Sequence, residues 1–128
     1  MGLDISHDAF SGAYSAFNRF RKAVCEATGG HWSDEVSGHD YWHFGDGFSN
    51  KTNPGLYAFL ASNDCEGEIA PELVAKLADE MEGLLPLLEK SGDGGGHLSR
   101  DGGIGAVARK LIAGCRVAAA ANEALIFG

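Results

Sequence analysis

Residues 71–88 carry the strongest structural instruction in this chain. Val74, Leu77, Ala78, Met81, Leu84, Leu85 and Leu88 recur three or four apart, which places them on one stripe of a helix. Pro71 suits the first helical position, where a missing N–H is no loss. Pro86 predicts a kink or an end, because it removes a backbone donor and crowds the turn before it. Such a stripe must be covered by other elements of the same core.

The remaining segments supply that cover. Met1 to Ser6 alternates apolar and polar residues, which predicts a short strand with Leu3 and Ile5 facing inward. A helix over 11–28 follows, with Phe10, Tyr14, Phe17, Arg21 and Val24 on one face, Ser11 as its cap and Gly29-Gly30 as its stop. Arg21 shares the core-facing register and is expected to snorkel at its edge. Residues 31–55 form an aromatic-rich excursion packed on the domain. Leu56 to Ala61 is an apolar run of strand length, suited to a central strand. Residues 91–105 hold seven glycines in fifteen positions, which predicts a mobile loop over 91–103. Ile104, Val107, Ala108, Leu111, Cys115 and Ala118 mark a third helix, and 124–127 a terminal strand. The sum is one α+β domain spanning 1–128. A short three-stranded sheet, extending to four, carries about three helices mainly on one face.

The 128 residues include ten Lys and Arg against eighteen Asp and Glu, a net charge of −8. That balance disfavours duplex nucleic acid and anionic membrane surfaces, both of which are held by cationic side chains. Cys25, Cys65 and Cys115 are odd in number and far apart, so they read as reduced thiols in a cytoplasmic setting. No signal segment and no span of about 20 apolar residues is expected.

Candidate chemistry falls in two places. Asp4, His7 and Asp8 combine carboxylates with an imidazole at a strand end, a pattern that serves metal binding or general base catalysis. The same pattern also fits plain helix capping. Asp64, Glu66 and Glu68 crowd a loop around Cys65. Their spacing echoes an EF-hand calcium loop, but Ser62 and Leu73 stand where its end ligands belong. If the strands before these segments are parallel neighbours, the two clusters share one sheet edge. A Cys65–His7 nucleophile pair is disfavoured, because nearby carboxylates raise a thiol pKa. His39 and His43 have helical metal-ligand spacing, but Gly38 and Gly45 argue against a helix there. Gly102 to Gly105 at a helix start, near Arg100 and Arg109, could offer backbone donors to an anion. Arg19, Arg21 and Lys22 give the first helix a basic surface.

The opening Met1-Gly2-Leu3-Asp4-Ile5-Ser6-His7-Asp8-Ala9 resembles a family of small phage and bacterial proteins, as do Gly12 to Phe17 with Arg19. The similarity resumes at Asp64-Cys65-Glu66-Gly67-Glu68-Ile69 and in the helix ending Leu84-Leu85-Pro86-Leu87-Leu88. The family pattern opens that loop with His-Ser, where this chain has Ser62-Asn63. The resemblance implies a phage or prophage setting, with action in the host cytoplasm, and no particular chemistry. Three expectations follow. One is a ligand-binding protein that sequesters a nucleotide-derived host immune signal, using His7, Asp8, Tyr14, Trp42, Asp64, Glu66 and Arg100, with Trp32 as a further aromatic wall. The second is a hydrolase or phosphodiesterase with a divalent cation on Asp4, His7, Asp64 and Glu68. The third is an acidic blocker of a host protein. A homo-oligomer is compatible with each.

Overall fold

The computed structural model describes residues 2–34, 40–62, 67–92, 96–100 and 102–128, with backbone alone at 34, 40, 41, 96 and 97. Gly2–Ile5 forms strand β1, with Leu3 and Ile5 buried as their alternation predicts. The helix expected from residue 11 starts later. Phe10–Ala13 is a second strand, β2, folded back on β1 so that Ile5 faces Phe10 and Gly2 faces Ala13. Helix α1 then runs Tyr14–Ala27. Ser11 is therefore not a cap. Its hydroxyl donates to Asp4 Oδ1 across the hairpin at 2.7 Å.

The apolar run expected as a central strand is instead helix α2, Pro54–Leu60. A helix of this length does not form on propensity alone. Pro54 is preset for a first turn. Glu80 caps that turn, accepting from Gly55 N–H at 3.3 Å and Leu56 N–H at 3.0 Å. Burial of Leu56, Phe59 and Leu60 completes the case. The deciding cap lies 25 positions from Gly55, outside any local window.

Gly67–Ile69 (β5) and Leu125–Phe127 (β6) complete an antiparallel sheet in the order β2-β1-β6-β5. Leu3, Ile5, Phe10, Ile69, Leu125 and Phe127 point into the core. Asp4, Ser11, Glu68 and Ile126 occupy the open outer face. A separate hairpin pairs His31–Asp34 (β3) with Asp40–His43 (β4). The α+β class is thus as expected, with more elements than the sequence announced: six strands and five helices among the described residues.

Helix α3 spans Pro71–Glu89 and passes Pro86 without ending. Pro86 is solvent-exposed and lies three residues from the helix end. Gly96–Arg100 forms a short helix, α4, inside the segment expected as a loop, anchored by buried Leu98. Helix α5, Ile104–Ala120, runs antiparallel to α3. Arg109 meets Glu89 at 2.5 Å, while Arg116 meets Asp79 at 3.1 Å and also Glu82. These exposed pairs mark the register and add little stability. No helix among the described residues is long and apolar enough to cross a membrane.

Phe17 sits where the layers meet. Its ring makes edge-to-face contacts with Phe10 at 5.2 Å, Phe59 at 5.6 Å and Phe127 at 5.9 Å, one partner each from β2, α2 and β6. Arg21 does not snorkel, being only 5 % exposed. Its guanidinium lies 4.9 Å from the Phe17 ring and 5.2 Å from the Trp32 ring. It donates to Leu60 O at 3.4 Å, to Ser62 O and to Asn18 Oδ1. A cation is thereby placed on carbonyls at the C-terminal end of α2, which both capping and the helix dipole favour.

Candidate functional site

The Ser6–Ala9 segment is a hairpin turn closed by Ala9 N–H on Ser6 O at 3.2 Å. Its central residues, His7 and Asp8, have φ of 62° and 56°. Two consecutive positive φ values are the signature of the turn that matches strand twist, and Asn-Gly is its usual sequence. His7 and Asp8 hold this conformation at a steric cost. The imidazole is oriented on both sides. Nε2 donates to Glu123 Oε1 at 3.0 Å, and Nδ1 pairs with the Ser6 hydroxyl at 2.9 Å. Ser6 Oγ in turn accepts from Ile126 N–H at 2.8 Å. The relay ties the turn to the segment after α5 and to β6. A hydroxyl so engaged acts as a strap between strands. Glu123, the partner of His7, lies 116 positions away, and no spacing signal could have identified it.

The shared edge expected for the two acidic clusters does not form from parallel neighbouring strands. The run expected as a strand over 56–61 is helical to Leu60, and β6 separates β1 from β5. Ile5, Phe127 and Gly67 lie in one row, so β5 begins at the end of the sheet away from His7. Asp4 and Glu68 share the open face, but two strand spacings, about 10 Å, divide them. Asp64, Glu66 and Cys65 lie outside the described residues. Among the described residues, no three His, Cys, Asp or Glu side chains come together.

The expected aromatic walls are also apart. Trp32 and Trp42 stack at 6.3 Å and 17°, and Trp42 packs on Phe44 at 5.2 Å and Tyr57 at 5.6 Å. Tyr14 begins α1, whereas the hairpin of Trp32 and Trp42 docks near Cys25. Eleven helical residues between these points span roughly 16 Å. Arg100 is exposed on α4. Gly102 and Gly103 spend their N–H groups on Ser99 O at 3.2 Å and Leu98 O at 2.8 Å. Arg109 is engaged by Glu89. The anion cradle expected at the start of α5 is thus largely satisfied from within.

Replacing Asp8 tests what the turn is for. Asp8→Gly removes the steric cost of positive φ and is expected to raise unfolding stability by about 0.5–1 kcal/mol in chemical denaturation. A loss of stability would mean that the Asp8 carboxylate makes a contact worth more than the strain.

A different place gathers polar groups around a cavity. Between α1, the end of α3 and the start of α5 lies a cleft of about 490 Å³, lined by Arg19, Lys22, Ala23, Glu26, Ala27, Leu87, Ser91 and Ile104. Arg19, Lys22 and Glu26 follow each other at three and four residues, so they share one face of α1. Ala23 and Ala27 keep the adjacent stripe shallow. Leu87 and Ile104 give it an apolar wall. The basic surface read from Arg19 and Lys22 is therefore the rim of a cavity, while Arg21, between them, points the other way into the core. The periodicity of Arg19, Lys22, Ala23 and Ala27 was available in the sequence. The partners Leu87, Ser91 and Ile104 depend on how α3 and α5 meet α1. Comparison of this chain with protein-family models, with curated proteins and with solved structures gives no match.

Proposed function

We propose that this protein is a non-catalytic binding protein that holds a phosphate-bearing small molecule of nucleotide size in the cleft beside α1. The observation that carries the reading is the placement of Arg19 and Lys22 on one wall of a 490 Å³ cavity with apolar Leu87 and Ile104 opposite. The volume falls in the range of about 300–1,000 Å³ usual for ligand pockets, and a few polar groups on apolar walls are their usual lining. Arg offers a forked donor set to phosphate and Lys a point charge. The chain's net charge of −8 opposes an anion weakly from a distance, because exposed charges beyond a Debye length of about 8 Å are screened at physiological salt; the acidic group nearest the proposed phosphate is Glu26, in the lining itself. A phage setting, implied by the opening motif, fits a protein that removes a nucleotide-type host signal by occupancy rather than turnover.

The hydrolase reading has less support. Its ligands Asp4 and Glu68 are divided by β6, and the imidazole of His7 is engaged by Glu123. The test is calorimetric titration with ATP, ADP-ribose and a cyclic dinucleotide. At least one is expected to bind in the micromolar range, and to be recovered chemically intact after prolonged incubation. Arg19→Glu and Lys22→Glu are each expected to weaken that binding about tenfold or more, as loss of a charge-assisted hydrogen bond does. Absence of heat with all three probes, or affinity indifferent to both substitutions, contradicts the reading.

A further inference from the structure

The β3–β4 hairpin places His31 directly opposite His43. Both side chains are exposed, and their ring centroids are 5.9 Å apart at a tilt of 35°. His43 had a sequence-level case as a metal ligand with His39 as its partner on a helix. The strand pairing supplies a different partner, twelve residues away in sequence and adjacent in space. We propose that His31 and His43 together form a surface site for a divalent late transition-metal ion, with copper preferred over nickel and zinc.

The geometry is close to what such an ion requires. Nitrogen binds these metals at about 2.0–2.1 Å, which puts each imidazole centroid roughly 3.2 Å from the ion and two centroids roughly 4.5–5 Å apart, from cis positions on a tetragonal copper ion to a tetrahedral arrangement. The observed 5.9 Å closes to that value by modest side-chain rotation, without moving either strand. The protonation pattern also fits. His43 Nδ1 donates to the Phe44 carbonyl oxygen at 3.2 Å. A carbonyl only accepts, so Nδ1 carries a proton. Metal-binding histidines are characteristically fixed this way, by a hydrogen bond from the other ring nitrogen.

The pair also sits on rigid backbone, at the base of the hairpin rather than at its tip. The buried Cys25 thiol, with a single weak S–H to share, lies 3.5 Å from His31 O and 3.4 Å from His43 O, so both strands sit against α1. Thr28 Oγ1 accepts from Gly45 N–H at 3.2 Å. Gly30 and Gly45 approach so closely that an added Cβ would meet His43 O at 2.1 Å and Thr28 O at 2.0 Å. A site whose supporting backbone cannot shift is preorganised. Imidazole nitrogen selects copper, nickel and zinc over calcium and magnesium, and the usual affinity order puts copper first. Two protein ligands leave the other positions to water, which makes the ion exchangeable.

The test uses the untagged full chain, titrated with Cu²⁺, Ni²⁺ and Zn²⁺ near neutral pH in a non-coordinating buffer. One ion per chain is expected, with copper tightest. His31→Gln and His43→Gln should each weaken copper binding about tenfold or more, while His7→Gln leaves it unchanged. Electron paramagnetic resonance of the copper-loaded wild type should report two imidazole nitrogens, a readout independent of how the variants fold. No binding by the wild-type chain, retained affinity in either hairpin variant, loss in His7→Gln, or a spectrum with fewer than two imidazoles each overturns the proposal.

Discussion

Phe17→Ala is expected to destabilise the fold by about 3–5 kcal/mol, the range for removing a buried aromatic ring. Phe17 is fully buried, and its partners come from β2, α2 and β6. Deleting it opens a void that none of the three can fill alone, because each is fixed by its own element. The substitution also uncovers one side of the Arg21 guanidinium, which lies 4.9 Å from the ring. A buried cation that loses an aromatic face loses a favourable contact in a poorly solvated place. Set against a usual domain stability of about 5–15 kcal/mol, the loss brings the chain near its unfolding threshold. Chemical denaturation of Phe17→Ala beside Phe48→Ala makes the comparison. Phe48 is only half-buried and packs at the rim on Phe44, so its removal should cost about 1 kcal/mol or less. Equal losses at both positions would contradict the central role assigned to Phe17.

The second large effect concerns two helical glycines with opposite expected signs. Propensity alone predicts that Ala stabilises either helix by about 0.8–1 kcal/mol. At Gly83, in α3, an added Cβ meets nothing within 4 Å, so Gly83→Ala should realise that gain. At Gly55, in α2, the same Cβ would lie 2.3 Å from Leu77 N and 2.6 Å from Leu77 Cα. Those are backbone atoms of α3 and cannot rotate away. Gly55→Ala must separate the helices, and in doing so draws the Gly55 and Leu56 N–H groups off Glu80. Overpacking of a core typically costs about 1–3 kcal/mol, and loss of a cap adds about 1 kcal/mol. Thermal and chemical unfolding of the two variants should therefore move in opposite directions. Stabilisation by Gly55→Ala would show that α2 and α3 do not pack as closely as described.

The contrast between these glycines shows what the sequence made legible. The α3 stripe and the α5 stripe could be read because their periodicity is carried by residues one turn apart. Leu3 and Ile5 could be read as inward because strand alternation is equally local. The α2 segment was misread because Leu56 to Ala61 fits a buried strand as well as a short helix, and the arbiter was Glu80. The β1–β2 turn was missed because His7-Asp8 takes a backbone conformation that Asn-Gly would have announced. Arg21 reads as a core-edge residue because its counterpart carbonyls, on Leu60 and Ser62, lie at the end of a helix that the local sequence does not announce. The candidate sites followed the same rule. Arg19 and Lys22 could be seen as a basic surface, but their cavity needs Leu87, Ser91 and Ile104. His43 could be seen as a ligand type, but its neighbour His31 needed strand register. Asp4 and His7, close in sequence, serve different partners, Ser11 and Glu123.

The measurement that bears most directly on the central claim is an amide-resolved magnetic resonance titration of the chain with the tightest-binding nucleotide probe. Binding in the cleft predicts progressive shifts at Lys22, Ala23, Ala27, Ser91 and Ile104, which line it, and no change at the Ser6–Ala9 turn or around Trp42. Shifts confined to the turn or to the aromatic hairpin, with the α1 cleft silent, would contradict the account.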